Sequence, residues 1–144
     1  MPGDKVRLSL DMTPRLIIAN PGVEATDRRV AVQRGPVVYC VESIDQARVG
    51  PLDSFVLQLK ANGDPEFTEE LQSQLLGGIV SISMRGFFDE PHVTAGEKML
   101  YSSLSGTQLS APTPIALKLI PYYIFANRGD SPMQVWLPYV NATS

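Results

Sequence analysis

Short apolar runs, each ended by a Gly, Pro or Asn turn, constrain this chain more than any other feature. In Lys5-Val6-Arg7-Leu8-Ser9-Leu10, the residues Val6, Leu8 and Leu10 point one way and Lys5, Arg7 and Ser9 the other. Strict period two with one wet face predicts a half-buried strand. Arg15-Leu16-Ile17-Ile18-Ala19 follows, closed by Asn20-Pro21-Gly22. Arg28 to Gln33 breaks at Arg34-Gly35-Pro36 and resumes as Val37 to Glu42. Pro lacks the ladder donor and Gly accepts positive φ, so Gly35-Pro36 reads as a structural break between two strand segments. Further runs of the same character are Phe55 to Lys60, Ile79 to Met84, Lys98 to Tyr101, Ile115 to Ile120 and Met133 to Leu137. Turn signals stand between most of them: Asn62-Gly63-Asp64-Pro65, Gly77-Gly78, Ser105-Gly106 and Asn127-Arg128-Gly129-Asp130. One stretch reads as helical, because Thr68-Glu69-Glu70 looks like a cap with first-turn acids and Leu71, Leu75 and Leu76 recur at helical spacing. The expected fold is therefore all-β, an antiparallel β-sandwich of jelly-roll type with one short connector helix.

Composition narrows the function classes. A chain of 144 residues fits one domain with a real core, and 44% hydrophobic residues with a net charge of −3 exclude a disordered segment. One Cys and one His exclude a disulfide framework and a Cys-rich zinc module, and no cofactor or metal is expected. The mild acidity offers no electrostatic footprint for nucleic acid. No apolar run approaches the roughly 20 residues of a membrane helix. Met1-Pro2-Gly3-Asp4-Lys5 lacks the apolar segment of a signal peptide, so a cytoplasmic location is the default expectation.

Catalytic constellations are thin. His92 follows Asp89-Glu90-Pro91, which could make an acid–base cluster. A solvated loop is the plainer reading, since adjacent Asp and Glu in extended backbone point to opposite faces. Cys40 sits inside the apolar run Val37 to Val41 and reads as a small buried hydrophobe with a raised pKa. Asp53, Asp64, Glu66 and Asp130 fall in turns, without diagnostic calcium spacing. Gly77-Gly78 has no following Lys-Ser/Thr and is no phosphate loop. Asn141-Ala142-Thr143 matches a glycosylation sequon. Tyr122, Tyr123, Phe125, Trp136 and Tyr139 gather near the end of the chain. They are candidates for a sugar-stacking platform, or for core and interface packing.

Two long motifs go further. Arg29-Val30-Ala31-Val32-Gln33-Arg34-Gly35-Pro36-Val37-Val38-Tyr39-Cys40-Val41-Glu42 is one. The other is Leu119-Ile120-Pro121-Tyr122-Tyr123-Ile124-Phe125-Ala126-Asn127-Arg128-Gly129, followed by Met133 to Pro138. With Gly3-Asp4-Lys5-Val6, Asn20-Pro21 and Leu76-Gly77-Gly78, these resemble the C-terminal part of glycoside hydrolase family 127, the β-L-arabinofuranosidase-like group. The resemblance runs from about residue 3 to residue 138. It implies an N-terminal (α/α)6-barrel elsewhere in family members that carries a zinc-bound cysteine nucleophile and a glutamate, with β-sandwiches behind it. No position here matches those ligands, and Cys40 falls in the sandwich motif.

The resemblance also implies a topology and partners. Residues from about 14 to 118 would form a complete sandwich. Residues 1 to 13 and 119 to 144 would supply terminal strands of a neighbouring, incomplete one. The leading functional reading is a non-catalytic accessory scaffold that buttresses a family catalytic barrel and forms a homo-oligomer through the terminal strands and Trp136. The alternative is a carbohydrate-binding module built on the aromatic residues. A self-sufficient small hydrolase has only Asp89 and Glu90 in its favour.

Overall fold

The computed structural model describes residues 3–48, 50–89 and 111–143. Nine strands organise them: β1 (Pro14–Ile17), β2 (Arg29–Arg34), β3 (Val37–Glu42), β4 (Phe55–Leu59), β5 (Phe67–Gln72), β6 (Ile79–Phe88), β7 (Thr113–Pro121), β8 (Met133–Gln134) and β9 (Leu137–Asn141). The all-β expectation holds, and the helical segments among the described residues are single 3-10 turns such as Ser43–Asp45 and Tyr122–Ile124. None of these helices is long and apolar enough to cross a membrane.

The expected sandwich is replaced by a closed, barrel-like ring of six strands. Pairings run β2–β9–β4–β6–β7–β3 and return to β2. The closure depends on β2, which serves two neighbours with different parts of its length. Arg29 and Val30 pair with Pro138 and Leu137 of β9, while Gln33 and Arg34 pair with Val38 and Val37 of β3. The β4–β9 pair is parallel, and the other pairs of named strands are antiparallel. A closed ring leaves fewer open edges than two stacked sheets.

Alternation explains the core. Val30 and Val32 of β2, Tyr39 and Val41 of β3, Leu57 of β4, Ile82 and Met84 of β6, Leu117 and Leu119 of β7 and Leu137 of β9 pack into one buried cluster. Phe55 and Phe88 meet there at a ring-centroid distance of 5.1 Å. Residues one step along the same strands face outward. There Cys40, Ile79, Ile120 and Ile124 make a second buried cluster, flanked by Leu75, Phe125, Met133 and Val135. β3 thus has apolar residues on both faces because the 122–135 segment covers its outer side.

Gly35 and Pro36 form the two-residue turn between β2 and β3, as the sequence predicts. Gly35 has φ +56°, and a Cβ there would collide with the Met12 thioether.

Three expectations are corrected. The connector helix over 68–76 is absent, because Phe67 to Gln72 pair residue by residue with Met84 to Ile79 as a hairpin. That ladder, with Phe67 packed on the core, overrides the helix-like Thr-Glu-Glu signal. Val6 to Leu10 is not a strand among the described residues, and its apolar side chains lie in solvent. The residues after 118 join the same sheet system as the rest: β9 lies between β2 and β4, and β8 pairs with β3. The Lys98 to Tyr101 strand, together with Glu90 and His92, lies outside the described residues.

Candidate functional site

The end of β7 and the segment after it carry most of the sequence-predicted site residues. Pro121 ends the strand, and Tyr122–Ile124 form a 3-10 turn whose Ile124 is buried against Cys40 and Ile120. That anchor turns its neighbours outward: Tyr122 is 48% and Tyr123 66% exposed. The Tyr122 and Phe125 rings lie near-parallel, 14° apart in plane with centroids 6.4 Å apart. Tyr123 stands near Tyr39, whose buried hydroxyl donates to the Val80 carbonyl at 2.8 Å. Burial pushes the Tyr39 phenol above its ordinary pKa.

The remaining two aromatics serve other places. Trp136 is half-buried, and its carbonyl accepts from Arg29 at 3.1 Å and from Gln134 at 2.9 Å. Tyr139 packs on the main core and borders an open cleft of about 510 Å³ beside β1, shared with Leu16, Ile18, Leu59 and Pro65.

An ion cluster that sequence reasoning missed holds the 122–132 segment in place. Glu42, at the end of β3, is fully buried. Arg128 Nη2 donates to Glu42 Oε2 at 2.6 Å, and Nη1 and Nη2 bind the two oxygens of Asp45 at 2.6 and 2.5 Å. This fork raises the already high pKa of the guanidinium, chiefly through the Asp45 bonds. Ser43 N–H donates to the Pro132 carbonyl at 3.0 Å, and the Ser43 and Ser131 hydroxyls meet at 2.9 Å. The two longest sequence motifs are joined here, one ending in Glu42 and the other holding Arg128. The only signal in the sequence was that both lay in unusual motifs.

The acidic residues weighed as chemical candidates are placed apart. Asp53 accepts from Gln134 and Arg29, both at 2.9 Å, and these bonds hold its carboxyl below the usual range. Asp64 closes the Asn62-Gly63 turn, with its N–H 3.0 Å from Asn62 Oδ1. Asp89 is exposed, and its N–H donates to the Ser54 carbonyl at 2.8 Å. Glu66, Asp130 and Asn141 are exposed. Among the described residues, no group of three His, Cys, Asp or Glu could hold a metal ion. Among the described residues, none fits the zinc that the resemblance implies for the family's barrel. Cys40 is buried, and burial followed by the Glu42 charge pushes its thiol up to about 12, away from the thiolate that zinc takes.

The model of the glycoside hydrolase family 127 C-terminal domain matches residues 14–138. A non-reducing end β-L-arabinofuranosidase of Bifidobacterium longum subsp. longum is 32% identical over 132 residues, which are 92% of this chain and 19% of that protein. A crystal structure of a family 127 β-L-arabinofuranosidase from Geobacillus stearothermophilus T6 superposes with a TM-score of 0.70 at 30% identity, covering 90% of this chain and 18% of its own. The structure of another family 127 β-arabinofuranosidase gives 0.68 at 36% identity with the same coverage. The chain thus spans about a fifth of the length of the relatives it matches. By its sequence and its fold, the chain belongs to the glycoside hydrolase family 127 C-terminal domain family.

Proposed function

We propose that the chain is a non-catalytic accessory domain of a β-L-arabinofuranosidase-like glycoside hydrolase, a rigid block that buttresses a catalytic barrel. The observation that carries this reading is the extent of the match: residues 14–138 correspond to the C-terminal domain alone. The chemistry of the described residues agrees with it. Glu42 and Asp45 are engaged by Arg128, Asp53 by Arg29 and Gln134, and the Cys40 thiol is buried. A glycosidase needs two carboxyls facing one another across a sugar, about 5–9 Å apart, and these carboxyls face arginines instead.

Deletion tests the scaffold reading. The Bifidobacterium longum enzyme, cut before the region equivalent to residues 14–138, should melt at a lower temperature and lose soluble yield. A truncated enzyme with unchanged melting and activity would overturn the reading.

The carbohydrate-binding alternative has one observation in its favour, the near-parallel Tyr122 and Phe125 rings beside exposed Tyr123. Such rings can stack on the apolar face of a sugar. On that reading Tyr123→Ala weakens retention of the chain on arabinan-containing affinity gels without lowering its melting temperature. Equal migration with and without arabinan would dismiss it.

A further inference from the structure

Met84 of β6 and Leu117 of β7 point into the core, so their neighbours Ser83, Arg85 and Ala116 face outward. Ladder pairing sets Thr68 of β5 beside Ser83, and Ala116 beside Arg85. Two small side chains, Ser83 and Ala116, thus lie among longer polar ones. The surface dips there into an open cleft of about 280 Å³, bordered by Glu66, Thr68, Ser83 and Arg85. A second open cleft of about 240 Å³ adjoins it, bordered by Gln58 and Lys60 and by the same Glu66 and Arg85. Joined across these two residues, the clefts reach the roughly 300–1,000 Å³ of small-molecule pockets.

The charges at these clefts have no partners within the fold. Arg29, Arg34 and Arg128 each hold a carboxylate. Lys60, Glu66 and Arg85 border one cleft, yet among the described residues their side chains make no ion pair or hydrogen bond. Two cations against one carboxylate leave this spot positive in a chain of net charge −3. Each group narrows the ligand. A bare anion meets Lys60 and Arg85 but is repelled by Glu66, and a neutral sugar leaves both cations without a counter-charge. A ring carrying one carboxylate and several hydroxyls answers every group. The planar Arg85 fork matches a carboxylate, and Glu66, Thr68 and Ser83 can bond hydroxyls.

We infer that the joined clefts bind a polyhydroxylated carboxylate of the uronate class. Its carboxylate sits in the cleft shared by Lys60 and Arg85, and its hydroxyls extend over Ser83 and Thr68 toward Glu66. The site is separate from the Tyr122 and Phe125 rings and recognises its ligand by charge and hydroxyl pattern instead of by stacking. It is open to solvent, so the affinity belongs in the millimolar range and weakens with salt.

Titration of the purified chain with D-glucuronate, D-glucose and acetate, followed by amide chemical shifts, tests this. Glucuronate should bind saturably, with shifts centred on residues of β5 and β6, and at least about tenfold more tightly than either glucose or acetate. Arg85→Gln should weaken glucuronate by about tenfold or more. Glu66→Gln should narrow the gap between glucuronate and acetate, since it removes the hydroxyl acceptor together with the repulsion of bare anions. Both side chains are exposed, and an unchanged amide spectrum away from the clefts shows that each variant folds. No saturable glucuronate binding overturns the inference. So does acetate binding as tightly as glucuronate, or glucuronate binding indifferent to Arg85→Gln.

Discussion

Arg128 reaches across 86 positions of sequence to set its guanidinium 2.6 Å from the carboxylate of fully buried Glu42. Asp45 takes the other side of the same fork. Two acids and one cation leave this cluster net negative, and part of its stabilisation comes from hydrogen bonds: the Ala126 N–H also approaches Glu42 Oε1 at 3.4 Å. The result is a clasp that presses Ile124 and Phe125 onto Cys40 and Ile120. Tyr122 and Tyr123, which precede Ile124 in the same 3-10 turn, are exposed.

Breaking the clasp from the cation side leaves two carboxylates with little or no solvent. Arg128→Ala should therefore lower unfolding free energy by about 3 kcal/mol or more, as loss of one partner in a buried ion pair does. Arg128→Lys keeps the charge but loses the planar fork, and should cost less. Urea titration of the three proteins checks the order.

The Cys40 thiol gives a pH signature. Its pKa is raised from 9.0 in the unfolded reference to about 12 in the fold, by burial first and the Glu42 charge second. The thiol contribution is complete below pH 9 and is lost as pH rises toward 12, because only the unfolded chain ionises readily in that window. The raised Tyr39 pKa acts in the same direction at its upper end. Cys40→Ala should show a shallower alkaline loss of stability than wild type, in melts taken from pH 8 upward. At neutral pH a thiol reagent should label Cys40 only after denaturant is added.

Gly86 of β6 lies between β4 and β7, paired with Leu57 on one side and Ile115 on the other. A Cβ at this position would stand 2.5 Å from the Val56 carbonyl oxygen and collide with Leu117. Backbone cannot yield as a side-chain tip can, so Gly86→Ala should destabilise by about 1–3 kcal/mol. Thermal unfolding measures it, and Gly63→Ala, with open space around its Cβ but φ +84°, separates overpacking from backbone strain.

Local signals were legible and non-local ones were not. The Gly35-Pro36 and Asn62-Gly63-Asp64 turns follow from residue chemistry within four positions, and the strands between them from period two. The β5 strand was hidden because Thr68, Glu69 and Glu70 satisfy a helix start locally, and only pairing with Ile79 to Met84 makes them extended. Ring closure was hidden for a similar reason. It needs β9 to lie parallel to β4, with Tyr139 opposite Leu57, and periodicity carries no information about such a partner. Of the site, the aromatic residues were visible as a group, but their separation into the Tyr122–Phe125 turn and the Tyr139 cleft depends on which strands meet.

Hydrolysis is the most direct test of a non-catalytic domain. The purified chain, given aryl β-L-arabinofuranosides with and without added zinc, should release no more phenol than a heat-denatured control. Turnover above that control, lost on Asp89→Ala or Glu90→Ala, would contradict the accessory role and place catalytic chemistry in the domain itself.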